Sequence, residues 1–286
     1  MSSQITTAFV NQFSSNVTML SQQMGSLLRS AVDVETVNGE KAFFDQVGQA
    51  AAVQKTTRNS DTPIMETPHA RRMVSLKDFE YADLIDDQDK IRMLIDPTST
   101  YARAAAAAIG RAMDDEIIAA LGGTALTGKT GATSTALPSA QKIAHGSAGL
   151  TIAKLVEAKQ KLDEKSVDPS IKRFIVVSPK QISDLLNNTT VTSADFNTVR
   201  ALATGQLSEF VGFTFIVSNR LQVDTNSDRL VYAFAQQGMK LAIGKDVKSD
   251  ITERADKSYA TQVYYCASFA STRMEEEMVV EIACSE

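Results

Sequence analysis

The sequence predicts an α+β fold, a sheet-and-helix body with a compact α/β unit inserted into it, and three observations carry that expectation. The stretch Asp96–Gly122 has the composition and spacing of one long helix. Between Arg173 and Ile243, short apolar runs of strand type alternate with a helical segment. Polar and apolar residues alternate over long distances on either side of these, from Val53 to Ile85 and from Val247 to Cys284.

The long helix organises the rest. Asp96 suits the cap, Pro97 suits the first helical position because its missing N–H would have had no partner, and Gly122 suits the left-handed residue that ends a helix. At 1.5 Å per residue the span is roughly 37 Å. Ala104–Ala108 brings high helix propensity, while Ile109, Met113, Ile117 and Leu121 recur at every fourth position as one narrow apolar stripe. Arg103, Arg111, Asp114, Asp115 and Glu116 lie opposite, so the helix is neither buried all round nor membrane-spanning.

Before the helix, Ser3 to Val32 place Phe9, Phe13, Val17, Leu20, Met24 and Leu27/Leu28 at three- and four-residue steps in a Ser/Gln/Asn/Thr-rich background. Such an amphipathic arm is marginal alone and orders against another surface, for instance a neighbouring subunit. Val34 to Ala52 is ambiguous, with Gly39 and Gly48 as punctuation and Phe43–Phe44 as an anchor. Val53 to Ile85 reads as a projecting hairpin around Pro63 and Pro68. Val53–Arg58 goes up and Arg72–Leu84 returns, with Met73, Ser75, Lys77, Phe79 and Tyr81 on one side. A two-stranded ribbon is barely stable in water, so the hairpin is expected to lean on a partner.

After Gly122, a Gly/Thr/Ala-rich stretch reads as a long loop, followed by a helix over Ile152–Glu164, capped by Thr151 and stapled by Leu150 against Leu155. Arg173–Val177 is a buried strand, Ser178–Pro179 opens a helix carrying Ile182, Leu185 and Leu186, and Phe213–Val217, Leu230–Ala235 and Met239–Ile243 are further strands. Three later stretches, VKSDITERAD, ATQVYYCASFASTRM and EEMVVEIAC, are expected to return beside the long helix after the α/β unit has closed.

Composition narrows the function classes. The 286 residues carry a net charge of -5 without any Lys/Arg run, which argues against a dedicated nucleic-acid binder. Cys266 and Cys284 are expected to be reduced, and the absence of a signal-like start or an apolar run of about 18 residues points to cytosol-like conditions and no membrane. On the same ground, the N-x-T matches at Asn16, Asn187 and Asn188 carry no weight as glycosylation sites.

No chemistry converges. Gly123–Thr130 matches the phosphate-loop pattern GxxxxGK(S/T), which would make a nucleotide-binding enzyme of the chain. That motif, however, needs a strand before it and a helix after it, and here a helix precedes and no helical pattern follows. Asp114, Asp115 and Glu116 point about 100° apart and cannot meet on one ion without acidic residues from elsewhere, so a solvated face with Arg111 reaching Asp114 or Asp115 is expected. His69 and His145 lack metal-ligand spacing, and Ser178–Lys180 lacks a nucleophile elbow. Neither catalysis, cofactor nor metal is expected. Arg71 and Arg72 suit an anion or, in preference, a neighbouring subunit's carboxylates.

The order of arm, hairpin, long helix, α/β unit and returning strands resembles the major capsid proteins of tailed bacteriophages, the Hong Kong 97-type fold, and is closest to those of podovirus-like phages. The resemblance rests on Thr67–Arg72 leading into Lys77–Asp86, on Asp96–Tyr101 opening the helix, and on Gly110–Asp115 within it. It extends through Val176–Pro179, Ser193–Phe196 and the Gly205…Phe210–Phe213 stretch. It implies an N-terminal arm over 1–50, an extended hairpin loop over 51–95, and a peripheral domain over 96–174 with a spine helix at 97–121. An axial domain over 175–245 and C-terminal strands of the peripheral domain over 246–286 complete it. The implied function is a shell of hexamers and pentamers, icosahedral and enclosing phage double-stranded DNA held non-specifically. The virion is the implied location, and the host cytoplasm the place of assembly. A portal protein at one vertex and a scaffolding protein are the implied partners, the latter because the chain lacks the founding member's long N-terminal scaffolding segment. Phe9, Phe13, Leu20, Leu27, Arg71, Arg72, Phe79 and Tyr81 are the expected subunit contacts. An encapsulin-like nanocompartment shares the fold and is the alternative.

Overall fold

A computed structural model describes residues 22–59, 61, 62, 64–85, 98–187 and 209–286. The strands are β1 (Asp33–Thr36), β2 (Lys41–Val47), β3 (His69–Ser75), β4 (Lys77–Ile85), β5 (Ala125–Thr127), β6 (Thr133–Thr135), β7 (Lys142–Ile143), β8 (Arg173–Val177), β9 (Glu209–Phe210), β10 (Phe213–Val217), β11 (Asp228–Ala235), β12 (Met239–Arg254), β13 (Ala260–Arg273) and β14 (Val279–Ser285). Among the described residues three α-helices accompany them, α1 (Thr98–Gly122), α2 (Ile152–Glu164) and α3 (Pro179–Leu186). The chain divides into two units, one of Met1–Ser26, Asp78–Arg111 and Asp246–Ala267, the other of Leu27–Lys77, Ala112–Lys245 and Ser268–Glu286.

The larger unit is built on a six-stranded sheet of order β7-β14-β11-β8-β10-β9. Its central strands are buried at consecutive positions: Ile175–Val177 in β8, Val231–Ala235 in β11, Val279–Ile282 in β14. Near-continuous apolar runs of this kind belong to strands covered on both faces. Thr151 caps α2 by accepting the Lys154 N–H, and Gln181 reaches back to the Ser178 N–H at the start of α3 (2.6 Å), where Pro179 takes the first turn.

The last strand corrects an expectation. VVEIAC does not lie outside a closed α/β unit; β14 runs antiparallel to β11 from Asp228↔Ser285 to Phe234↔Val279, with β7 on its other side. Val279, Val280, Ile282 and Cys284 are all buried, and burial of neighbouring residues that point to opposite faces requires both faces of the sheet to be covered there. The sheet therefore draws on residues outside 175–245.

The hairpin is also displaced. Its strands are β2 and β3, in register from Lys41↔Ser75 to Val47↔His69, and Val53–Arg58 lies in the connection between them. KAFFDQV has Phe44 to bury, whereas VQKTTR has only Val53, which is exposed. Nor do residues 72–84 form one strand. They break at Leu76, whose N–H goes to the Glu40 carbonyl (3.0 Å), and β4 joins a different sheet. The root of the hairpin is held by an apolar cluster of Val37, Phe44, Val74, Ala242, Ala270 and Met274.

The stretch after α1, expected as a loop, contains the β5–β6 hairpin, which extends the β2–β3 sheet through β5. In the smaller unit, the outer halves of β12 and β13 run beside β4 in the order β12-β13-β4, with Tyr264 donating to Glu80 (2.8 Å).

Along α1, Ile109, Met113, Ile117 and Leu121 are buried as the four-residue spacing requires, and Ala105, Ala107 and Ile118 widen that face. Asp96 and Pro97 lie outside the described residues. Gly122 is the last residue of the helix and has no left-handed backbone; it is small because a Cβ there would strike the Tyr232 hydroxyl.

Candidate subunit-contact surfaces

The side chains expected at contacts between copies fall, where described, at the base of the arm, on the hairpin and on β4. At the base of the arm, the wholly buried Asp114 carboxylate accepts the N–H groups of Leu27 and Leu28 (both 3.1 Å). Arg111 donates to the Gln22 side chain (2.8 Å) and the Gln23 carbonyl (3.2 Å), and Gly110 admits Gly25, whose Cα would lie 2.7 Å from an added Cβ. These backbone bonds pull Leu28 inward and leave Met24 and Leu27 exposed. Phe9, Phe13 and Leu20 lie outside the described residues.

The acidic turn of α1 is therefore no solvated face. Asp114 satisfies buried backbone, Asp115 pairs with Arg220, and Lys77 donates to both oxygens of Glu116 (2.8 Å each). Hydrogen bonding to Asp115 raises the Arg220 pKa. Arg111, expected to reach Asp114 or Asp115, goes to the arm because adjacent helical positions face different neighbours.

On the hairpin, strand alternation sends the two expected arginines to opposite faces. Arg71 makes a two-point bond to Asp45 across the ribbon (2.5 and 3.2 Å) with its guanidinium 5.4 Å from the Phe43 ring centre, and this bond holds the Asp45 carboxyl below its usual pKa. Arg72 is buried and donates to the Met274 carbonyl (2.7 Å) and to Glu276 (2.6 Å). The carboxylates that both arginines meet belong to their own chain, where cross-strand and root geometry bring them within reach. Phe79 and Tyr81 are half-buried on β4; the Tyr81 hydroxyl donates to Asp83 (3.4 Å), and burial raises its pKa.

Beside Arg72, the fully buried Arg273 donates to the carbonyls of Leu121 and Gly123 (2.9 Å each), Ala120 (3.4 Å) and Thr135 (3.1 Å). A cation on the last carbonyls of α1 closes the helix where a left-handed glycine was expected. Burial lowers the Arg273 pKa, with Glu276, 3.7 Å away, opposing that shift. Glu276 thus stands between the arginine of the hairpin root and the arginine of the helix end.

Several exposed apolar side chains lie at the far end of the hairpin. Val47, Val53, Ile64 and Met65 all face solvent there, Ile64 at 93% exposure. Sequence reading passed over them; an apolar pair between Pro63 and Pro68 in an otherwise polar loop was the available signal. Asp114 and Arg273 gave no such signal, because their roles depend on backbone groups far away in sequence. The phosphate-loop match is spread over the β5–β6 hairpin, with Gly128–Thr130 exposed in its turn. No cluster of metal-ligating residues occurs among the described residues, and none of the described helices is long and apolar enough to cross a membrane.

A family model described as phage capsid protein matches residues 5–286. The chain belongs to the phage capsid protein family. No curated protein matches the capsid protein's sequence. Solved structures resemble it throughout. The capsid of cyanophage P-SCSP1u superposes with a TM-score of 0.78 at 18% identity, over 99% of this chain and 94% of that one. The capsid of Ralstonia phage GP4 gives 0.75 at 11%, over 97% and 95%. That of Helicobacter pylori bacteriophage KHP30 gives 0.74 at 10%, over 99% and 97%. The capsid protein therefore has the Hong Kong 97-like fold and is a major shell component of a virion. Neither the nanocompartment nor the nucleotide-enzyme alternative gains support from these likenesses.

Proposed function

We propose that the capsid protein closes into an icosahedral shell of hexamers and pentamers around double-stranded DNA, each copy covering apolar surface that its neighbour leaves open. The observation that carries this is the exposed set Val47, Val53, Ile64 and Met65 on a ribbon whose Arg71 and Arg72 are already paired within the chain. A contact there gains by removing apolar area from water without breaking an ion pair. The arm, expected over 1–50, is confined to the residues before β2, because β2, β3 and their connection make the projecting loop; α1 serves as the spine, and the axial domain comprises 175–245 together with β14. Phe9, Phe13, Leu20, Leu27, Arg71, Phe79 and Tyr81 are contact residues in this reading, and Arg72 is a root anchor. A net charge of -5 suits a wall that confines DNA without gripping its sequence. A scaffolding protein in the host cytoplasm and a portal at one vertex are its assembly partners, and the subunit does no chemistry of its own.

The test is to express the full chain with and without its phage's scaffolding protein and to examine it by sedimentation and electron microscopy. Megadalton shells, lost on deletion of the arm while the α/β unit stays folded, are expected. A folded single subunit under both conditions, or normal shells from the arm-deleted chain, would overturn the reading.

A further inference from the structure

The outer half of β12 is exposed on both faces. Lys245 to Glu253 are exposed at every position, including Val247 and Ile251. On one side the strand meets β13; on the other, β1 pairs with it only from Lys240 to Ile243. The Ile243 carbonyl accepts the Val37 N–H on that side (3.0 Å). Strand alternation then turns the N–H and C=O groups of Lys245, Val247, Ser249, Ile251 and Glu253 the same way. No described strand meets them there, and the Val247 N–H is taken by the neighbouring Asp246 carboxylate (2.9 Å) instead of a strand carbonyl. An open edge of this length is a template for another strand.

The edge is complementary to itself. Laid antiparallel against a second copy with Ser249 opposite Ser249, it sets Lys248 against Asp250, Val247 against Ile251 and Lys245 against Glu253, each twice. Other registers are penalised: one opposes Lys248 to itself, another Asp250 to itself, and a one-residue slip opposes Asp246 to Glu253 and Lys245 to Arg254. Lys245, Lys248, Asp250 and Glu253 make no ion pair among the described residues. Backbone parity agrees, because the outward groups of Ser249 place the Ser249–Ser249 pair at a hydrogen-bonded position.

We propose that residues 245–253 of β12 form a two-fold contact between copies by antiparallel strand pairing centred on Ser249. This rests on the shell reading above and adds the segment, the symmetry and the register. The contact is isologous, so every favourable pair counts twice.

Cysteine cross-linking and charge reversal test it on the full chain assembled in shells. At a hydrogen-bonded antiparallel pair the Cα atoms stand about 5.5 Å apart, within disulfide reach. Ser249→Cys shells, oxidised and run without reductant, are expected to yield covalent dimers, whereas Thr252→Cys shells, with residue 252 facing residue 246 of the other copy, yield few. Lys248→Asp and Asp250→Lys singly are expected to cut shell yield roughly tenfold or more through like-charge opposition, and the double variant to restore it. Intact Ser249→Cys shells without dimers, cross-links from position 249 only to another segment, or single reversals that assemble normally would overturn the pairing while leaving the shell reading standing. Failure of the unaltered chain to form shells would overturn that reading instead.

Discussion

Phe234 and Ile64 are large apolar side chains of the same chain, one without exposed surface and the other 93% exposed, and the regions around them differ in the same way. The six-stranded sheet completes itself, with β11 paired on both sides and its core residues covered on both faces. The hairpin beyond its root and the outer half of β12 are largely exposed. A shell protein needs both kinds of region. The first supplies folding free energy to a single copy, and the second withholds apolar area and strand edge until copies meet.

That contrast sets the order of the expected effects. Phe234→Ala empties a filled interior site and should cost about 4 kcal/mol in chemical denaturation, enough to deplete folded subunits. Arg273→Met should cost about 3 kcal/mol by the same measurement, since it strips the cation from the end of α1 and leaves Glu276 with less compensation. Ile64→Asp should leave the unfolding midpoint of the subunit within about 0.5 kcal/mol of the parent while lowering shell yield measured by sedimentation. An Ile64→Asp subunit as unstable as Phe234→Ala would erase the distinction between the two regions.

The smallest effect concerns pH. The Asp45 carboxyl is held below its ordinary 3.8 chiefly by its bond to Arg71, so its contribution to stability is present above that value and lost as pH falls through the lowered one. The pair is exposed, so the loss is slight. Subtracting the acid limb of an Asp45→Asn denaturation curve from that of the parent should isolate it, and identical limbs would show that the pair contributes nothing.

Local pattern made much of the fold legible. Four-residue spacing located the buried face of α1, the Thr151 cap and apolar run located α2, and dense apolar runs located β8, β10 and β11. The same reasoning put the ascending hairpin strand about ten residues late, because it weighed the alternation of polar residues above the one aromatic, Phe44, that has a core to enter. It also misread Asp114, Asp115 and Glu116. A carboxylate on a helix looks like a solvated charge until the chain brings two backbone N–H groups, a lysine and an arginine to three successive positions.

The sequence by itself determined where the helices and buried strands form and that two N-terminal segments carry apolar residues with no local partner, since these follow from spacing, caps and propensity over a few residues. It also contained the charge order of Lys245–Glu253, although nothing local reveals that this strand has a free edge. Only the tertiary structure decided that β14 lies inside the α/β sheet, that Arg273 instead of a glycine ends α1, and that β12 runs on past Ile243 with one edge that no described strand meets. Each is a pairing between groups far apart in the chain, and such pairings are set by which faces and edges remain open after the local elements have formed.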